Sequence, residues 1–232
     1  GTLYSDTTET TAPSFGTGPV AISSGANAII ISKPAADQTF ANAFSGAGSL
    51  YVSPRAGGSA TLTLSGDMSA FTGFLSVGAA NGNGKVVLPA TLNAAALVRV
   101  ESTATVYGPS GTFANTFQLL GGTTGEAYGQ LRSDGATYSG PLILQANSTI
   151  GNQATGAGTF SGPIIGNFTL TRQGTGTGGI VLSGNNTFTG GLTVSASSNT
   201  TFNNANAAGS GTLNLNASGA TGTVGAGVAN FR

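Results

Sequence analysis

LSGNNTFTGGLTV, residues 182–194, is the stretch whose reading decides the fold. Its Gly, Asn and Thr residues, set among alternating apolar side chains, suit either a ligand-binding loop or one piece of a repeating scaffold. Self-similarity along the chain separates the two. TLTLSGDMSAFTGFLSV at 61–77 aligns with GIVLSGNNTFTGGLTV at 179–194 across one residue of gap, giving the shared frame L-S-G-[DN], then F-T-G-x-L-[ST]-V. An ordered frame of that length is a structural unit and not an accident of composition.

The second half of the frame recurs as an aromatic residue, Ser or Thr, then Gly. The copies are Phe44-Ser45-Gly46, Phe71-Thr72-Gly73, Tyr138-Ser139-Gly140, Phe160-Ser161-Gly162 and Phe188-Thr189-Gly190. A second unit opens on Gly-x-Gly and then alternates, at Gly16-Thr17-Gly18, Gly82-Asn83-Gly84 and Gly209-Ser210-Gly211. Periods of about 20–30 residues built from short period-2 strands between Gly/Asn turns predict a β-solenoid. One coil cannot bury its own apolar face, whereas stacked coils pair their backbones and build a continuous interior. The expected inward positions include Leu62, Leu64, Leu75, Val77, Val86, Leu88, Ile180, Leu182, Leu192, Val194, Leu213 and Leu215. Asn185, Asn186 and Gly190-Gly191 are read as corner residues, and the repeated Phe as lying at a coil edge or inside a corner. Helix signals are poor; LNAAALVRVES at 92–102 is the best candidate, yet its LVRVES alternates and is read as strand. The expectation is a single all-β domain over 1–232. Within it, residues 1–14 form an extended strand or the remnant of a preceding repeat, and 103–137 match the repeat least. A β-sandwich is the alternative.

The run from Phe160 to Val194 resembles the autotransporter-associated β-strand repeat of bacterial surface proteins. Gly174, Gly176, Leu182, Ser183, Gly184, Asn186, Phe188, Thr189, Gly190 and Val194 carry the resemblance, with departures at Leu192 and at the extra Gly178-Gly179. A degenerate copy covers about 44–77. The resemblance implies a right-handed parallel β-helix displayed outside the cell as a rigid stalk, adhesin or fibre, with most copies of the repeat carrying no chemistry.

Composition sets the bounds on function. Charged residues are 6% of the 232, the formal net charge is zero, and there is neither His nor Cys. Ser-His-Asp and Cys-His catalysis, His/Cys zinc sites and disulfides are thereby excluded. The seven cations, Lys33, Arg55, Lys85, Arg99, Arg132, Arg172 and Arg232, are scattered singly and make no basic stripe for nucleic acid. No apolar run approaches the roughly 20 residues that span a bilayer. A neutral, thiol-free surface rich in Thr, Ser and Asn fits an extracellular setting.

Catalysis by paired carboxylates would fall to Glu101, Glu126 and Asp134, provided coil stacking brought them within about 5–10 Å; the plainer reading is solvated loop charge. Gly82-Asn83-Gly84-Lys85 lacks the rest of a phosphate loop and precedes a strand. Calcium-loop motifs are absent, and no metal, cofactor or catalytic residue is assigned. Tyr4, Tyr51, Tyr107, Tyr128 and Tyr138 are the aromatics available to a surface glycan, and the sequons at Asn147, Asn167, Asn185, Asn199 and Asn216 match what chance supplies. The function expected is that of a non-catalytic extracellular structural protein, self-associating end to end or laterally into a stalk, fibre or array. A glycan-binding adhesin segment is the alternative, and a polysaccharide-cleaving enzyme comes third.

Overall fold

The computed structural model describes residues 1–6, 15–32, 36–54, 60–78, 84–122, 128–174, 176–195, 199–216 and 221–225. Short runs of alternating apolar and polar residues give strands of two to six residues, and Gly and Asn between them turn the chain. The described residues form 26 strands and no helix. The strands are shared among three faces, which the chain visits in a fixed cycle. Face one is an eight-stranded sheet from Thr2–Asp6 to Ile164–Ile165, and face two a nine-stranded sheet from Gln38–Phe40 to Leu213–Leu215. Face three has three strands from Val20–Ala21 to Ala70–Phe71, then six from Thr112–Phe113 to Thr221–Val224. Between these two sheets the third face is carried by turns within residues 88–96.

Every described strand pair is parallel, each strand lying on its equivalent one coil earlier, which is a β-solenoid and excludes the β-sandwich. A coil takes as few as 19 residues, from Val98 to Phe117, and as many as 25, from Thr2 to Asn27. Nine strands on the longest face, about 4.8 Å apart, make a stack about 40 Å tall.

The core is a set of columns. On face one Leu3, Ala28, Leu50, Leu75, Val98, Phe117, Leu142 and Ile164 stand one above the next. On face two the column is Gln38, Leu62, Val86, Val106, Leu131, Ile150, Arg172, Val194 and Leu215. On face three Phe113, Tyr138 and Phe160 stack ring on ring, with centroids 5.6 and 5.2 Å apart, followed by Leu182, Phe202 and Val224. Of the expected inward residues ten are buried. Leu213 is half-buried, and Leu215 is 56% exposed because no described strand lies beyond it on its face. All five repeated aromatics are buried inside the coil, at 2% exposure or less.

The two copies of the long frame occupy different faces. In the first, Leu64 ends a face-two strand, Phe71 lies on face three and Leu75–Val77 on face one. In the second, Leu182 ends a face-three strand. The chain then passes face one, where Thr187 N–H donates to the Ile164 carbonyl, and Leu192–Val194 lies on face two. The frame therefore specifies strand, corner, strand, corner, strand wherever it starts. The true stacked equivalents are Tyr138-Ser139-Gly140, Phe160-Ser161-Gly162 and Leu182-Ser183-Gly184. A Cβ on Gly162 would lie 1.9 Å from the Gly140 carbonyl oxygen, and one on Gly184 would lie 2.0 Å from that of Gly162, so only Gly allows this approach.

The segment 92–102 holds the strand Leu97–Val100, preceded by turns. Residues 103–137 carry strands on all three faces: Thr105–Tyr107, Thr112–Phe113, Phe117–Leu119 and Leu131–Arg132. The strand Thr2–Asp6 pairs with residues 27–31 of its own chain, while residues 7–14 lie outside the described ones. No helix among the described residues is long and apolar enough to cross a membrane.

Candidate functional site

The carboxylates singled out by the sequence are not brought together. Glu101 follows the face-one strand Leu97–Val100, whereas Asp134 follows the face-two strand Leu131–Arg132, so they sit at different corners of the coil. Glu126 lies outside the described residues. Each of the two described carboxylates is tied locally. Glu101 Oε1 accepts from Arg99 Nε at 2.6 Å and from Ser76 Oγ at 2.9 Å. Asp134 pairs with Arg132 Nη2, and its Oδ1 accepts from the Gln153 amide at 2.8 Å. Asp134 is also the one non-glycine with positive φ among the described residues, at 34°. Each of these two carboxylates is thus engaged with its own arginine.

The aromatic candidates are similarly engaged. The Arg132 guanidinium lies 4.2 Å from the Tyr107 ring centroid and 5.3 Å from that of Tyr128. Arg99 covers Phe74 at 5.0 Å, and Tyr51 meets Phe74 edge-on at 6.1 Å. Phe74, Tyr107 and Tyr128 each present a face to arginine in cation–π contact. Tyr138, named both as a repeated aromatic and as one available to a surface glycan, is 2% exposed and so lies inside the coil. Its hydroxyl donates to the Arg132 carbonyl at 2.7 Å and accepts from the Gly108 amide at 3.1 Å. Burial pushes its pKa well above the usual tyrosine range. The side chain of Tyr4 is outside the described set.

Of the phosphate-loop look-alike, Lys85 opens the strand Lys85–Val87, and Gly82-Asn83 lie outside the described residues. Among the described residues no three His, Cys, Asp or Glu side chains converge.

Sequence reasoning missed the polar ladder that holds the coils. Asn147, Asn167, Asn185 and Asn199 each accept, through Oδ1, a bond from one coil further on. The donors are Thr169 N–H (3.0 Å), Thr189 Oγ1 (3.3 Å), Asn206 Nδ2 (2.8 Å) and Thr223 Oγ1 (3.0 Å). Asn186 spans three coils: its Oδ1 accepts from Ile164 N–H at 2.8 Å while Nδ2 donates to the Ala207 carbonyl at 2.6 Å. The corner reading holds for Asn185, exposed between the face-three strand and face one, and for Gly191, whose φ is 92°. Asn186 is instead buried at the start of the face-one stretch, stacked on Ile164, with Thr187 N–H donating to the Ile164 carbonyl. The signal was present as Asn-to-donor spacings of 21–24 residues.

A second omission is Arg172. The alternation in Leu170-Thr171-Arg172 puts the arginine on the inward side with Leu170, and it is 0% exposed. Burial draws its pKa down to about 10, which still leaves it a cation at neutral pH.

Comparison with protein-family models found no match, and neither the curated proteins nor the solved structures gave one.

Proposed function

We propose that this chain is a non-catalytic structural segment of an extracellular stalk, fibre or array, which extends by stacking coil on coil with further copies of itself. The observation that carries the reading is the state of the core columns at the two ends of the stack. Leu3 at one end and Leu215 and Val224 at the other stand in columns whose other apolar members are buried, yet are 45%, 56% and 47% exposed. Among the described residues the strands Thr2–Asp6, Leu213–Leu215 and Thr221–Val224 are the outermost of their sheets, and edge strands template further pairing. The resemblance of Phe160–Val194 to the autotransporter-associated repeat, together with a thiol-free surface rich in Thr and Asn, supports an extracellular surface location. Glycan adhesion is less favoured because, of the candidate tyrosines, Tyr107 and Tyr128 each already present a face to Arg132 and Tyr138 is buried.

Sedimentation velocity over a wide concentration range, followed by electron microscopy of the concentrated protein, tests the assembly. The expected result is a concentration-dependent series of end-to-end oligomers. A chain that stays monomeric at millimolar concentration overturns self-association, and binding of a defined oligosaccharide on a glycan array would return the adhesin reading to first place.

A further inference from the structure

Arg172 occupies a place that seven aliphatic side chains fill elsewhere in its column, between Ile150 of the preceding coil and Val194 of the next. A guanidinium carries five N–H donors. Nη1 donates to the Gly174 carbonyl at 3.2 Å and Nη2 to the Asn199 carbonyl at 3.4 Å, while Nε has no hydrogen-bond partner. Neither of the two described carboxylate–arginine pairs includes it. The residue after Asn199 adds a second bare group: Thr200 is 0% exposed and its Oγ1 is also unpartnered. In the coil beyond, the register position of Thr200 is taken by Gly222, which covers it with no side chain. A buried cation outside those pairs, bonded to the carbonyl of the residue that precedes an unpartnered buried hydroxyl, is a costly arrangement for a core.

We propose that the solenoid interior at Arg172 and Thr200 binds a small monovalent anion of the halide class. The two unpartnered groups there, Arg172 Nε–H and the Thr200 hydroxyl, can both donate, which suits an anion. The anion supplies a negative charge and bridges the coil that carries Arg172 to the following coil that carries Thr200.

The urea-unfolding midpoint of the full chain tests this, measured against sodium chloride and sodium bromide and against sodium isethionate at equal ionic strength. The expected result is a saturable rise with either halide, as for any ligand that binds only the folded state, and none with the bulky anion. Arg172→Met abolishes the halide dependence, and Thr200→Val, which keeps shape and removes the hydroxyl, weakens apparent affinity about tenfold. An equal response to halide and isethionate, or an undiminished halide response in Arg172→Met, overturns the proposal. If Arg172→Met does not fold, bromide-grown crystals of the unaltered protein decide: an anomalous peak against Arg172 Nε supports the site, and a water or nothing there sinks it.

Discussion

A methyl group on Gly162 would meet the Gly140 carbonyl 1.9 Å away, while one on Gly135 would meet nothing within 4 Å but would sit at φ +91°. The two glycines thus separate backbone contact from backbone conformation. Gly162→Ala should cost about 3 kcal/mol, because a stacked backbone cannot yield as a side chain can. Gly135→Ala should cost about 1–2 kcal/mol from left-handed strain alone. Urea midpoints in the reverse order would show that coil spacing relaxes at this corner. Tyr138 makes a second residue-scale case. Its hydroxyl satisfies the Arg132 carbonyl and the Gly108 amide inside the core, so Tyr138→Phe should destabilise by about 1–3 kcal/mol at neutral pH. The pH dependence follows from its raised pKa. The unfolded chain ionises this tyrosine near pH 10 and the folded chain does not, so its contribution is intact below pH 10 and is lost above it. Alkaline titration of stability should therefore fall less steeply in Tyr138→Phe than in the parent. Equal slopes would mean the hydroxyl ionises in place.

Strands and corners explain what the sequence disclosed and what it hid. Period-2 alternation and the recurring frame identified the columns at Leu62, Val86, Leu182 and Val194, because an inward apolar position announces itself without knowledge of its neighbour. Which strand lies on which face was hidden, since the frame reads alike from face two or face three. The same limit concealed the polar ladder: Asn186 and Ala207 become partners only once coil length is known, and that length varies from 19 to 25 residues. Arg172 was legible in Leu170-Thr171-Arg172, but its charge directs a reader toward the surface even as the alternation points inward. The ladder has its own test. Asn186→Ala leaves the Ile164 amide and the Ala207 carbonyl without partners, which should cost about 2–4 kcal/mol for the two groups together. Hydrogen exchange should report it as lost protection at the Ile164 amide in particular. Unchanged exchange at that amide would remove Asn186 from the set of coil staples.

At the scale of the whole molecule each coil contacts chiefly its neighbours, so stability should be distributed as in a one-dimensional stack. Substitution at either end is then cheap for the fold and decisive for assembly. Leu215→Lys, at a 56% exposed position, should change the monomer's stability by less than about 1 kcal/mol. Leu131→Ala, at 0% exposure in the same column, should cost about 2–5 kcal/mol. In sedimentation, Leu215→Lys and Leu3→Lys should each block one end of the stack. A mixture of the two should stop at dimers formed through the ends left open, and chains longer than two in that mixture would mean that copies meet side by side.

The parallel ladders also determine how the molecule meets a load. Force along the stack runs parallel to the bonds between coils, so it strips them in succession instead of shearing a whole face at once. Each coil released frees 19 to 25 residues, or about 65–85 Å of contour at roughly 3.4 Å per residue, in exchange for about 4.8 Å of rise. A rod about 40 Å tall therefore holds in reserve several times its own height in extension per few coils lost, and single-molecule pulling should record it as a staircase with steps of that length. What is stiff at rest is, under tension, a dispenser of slack.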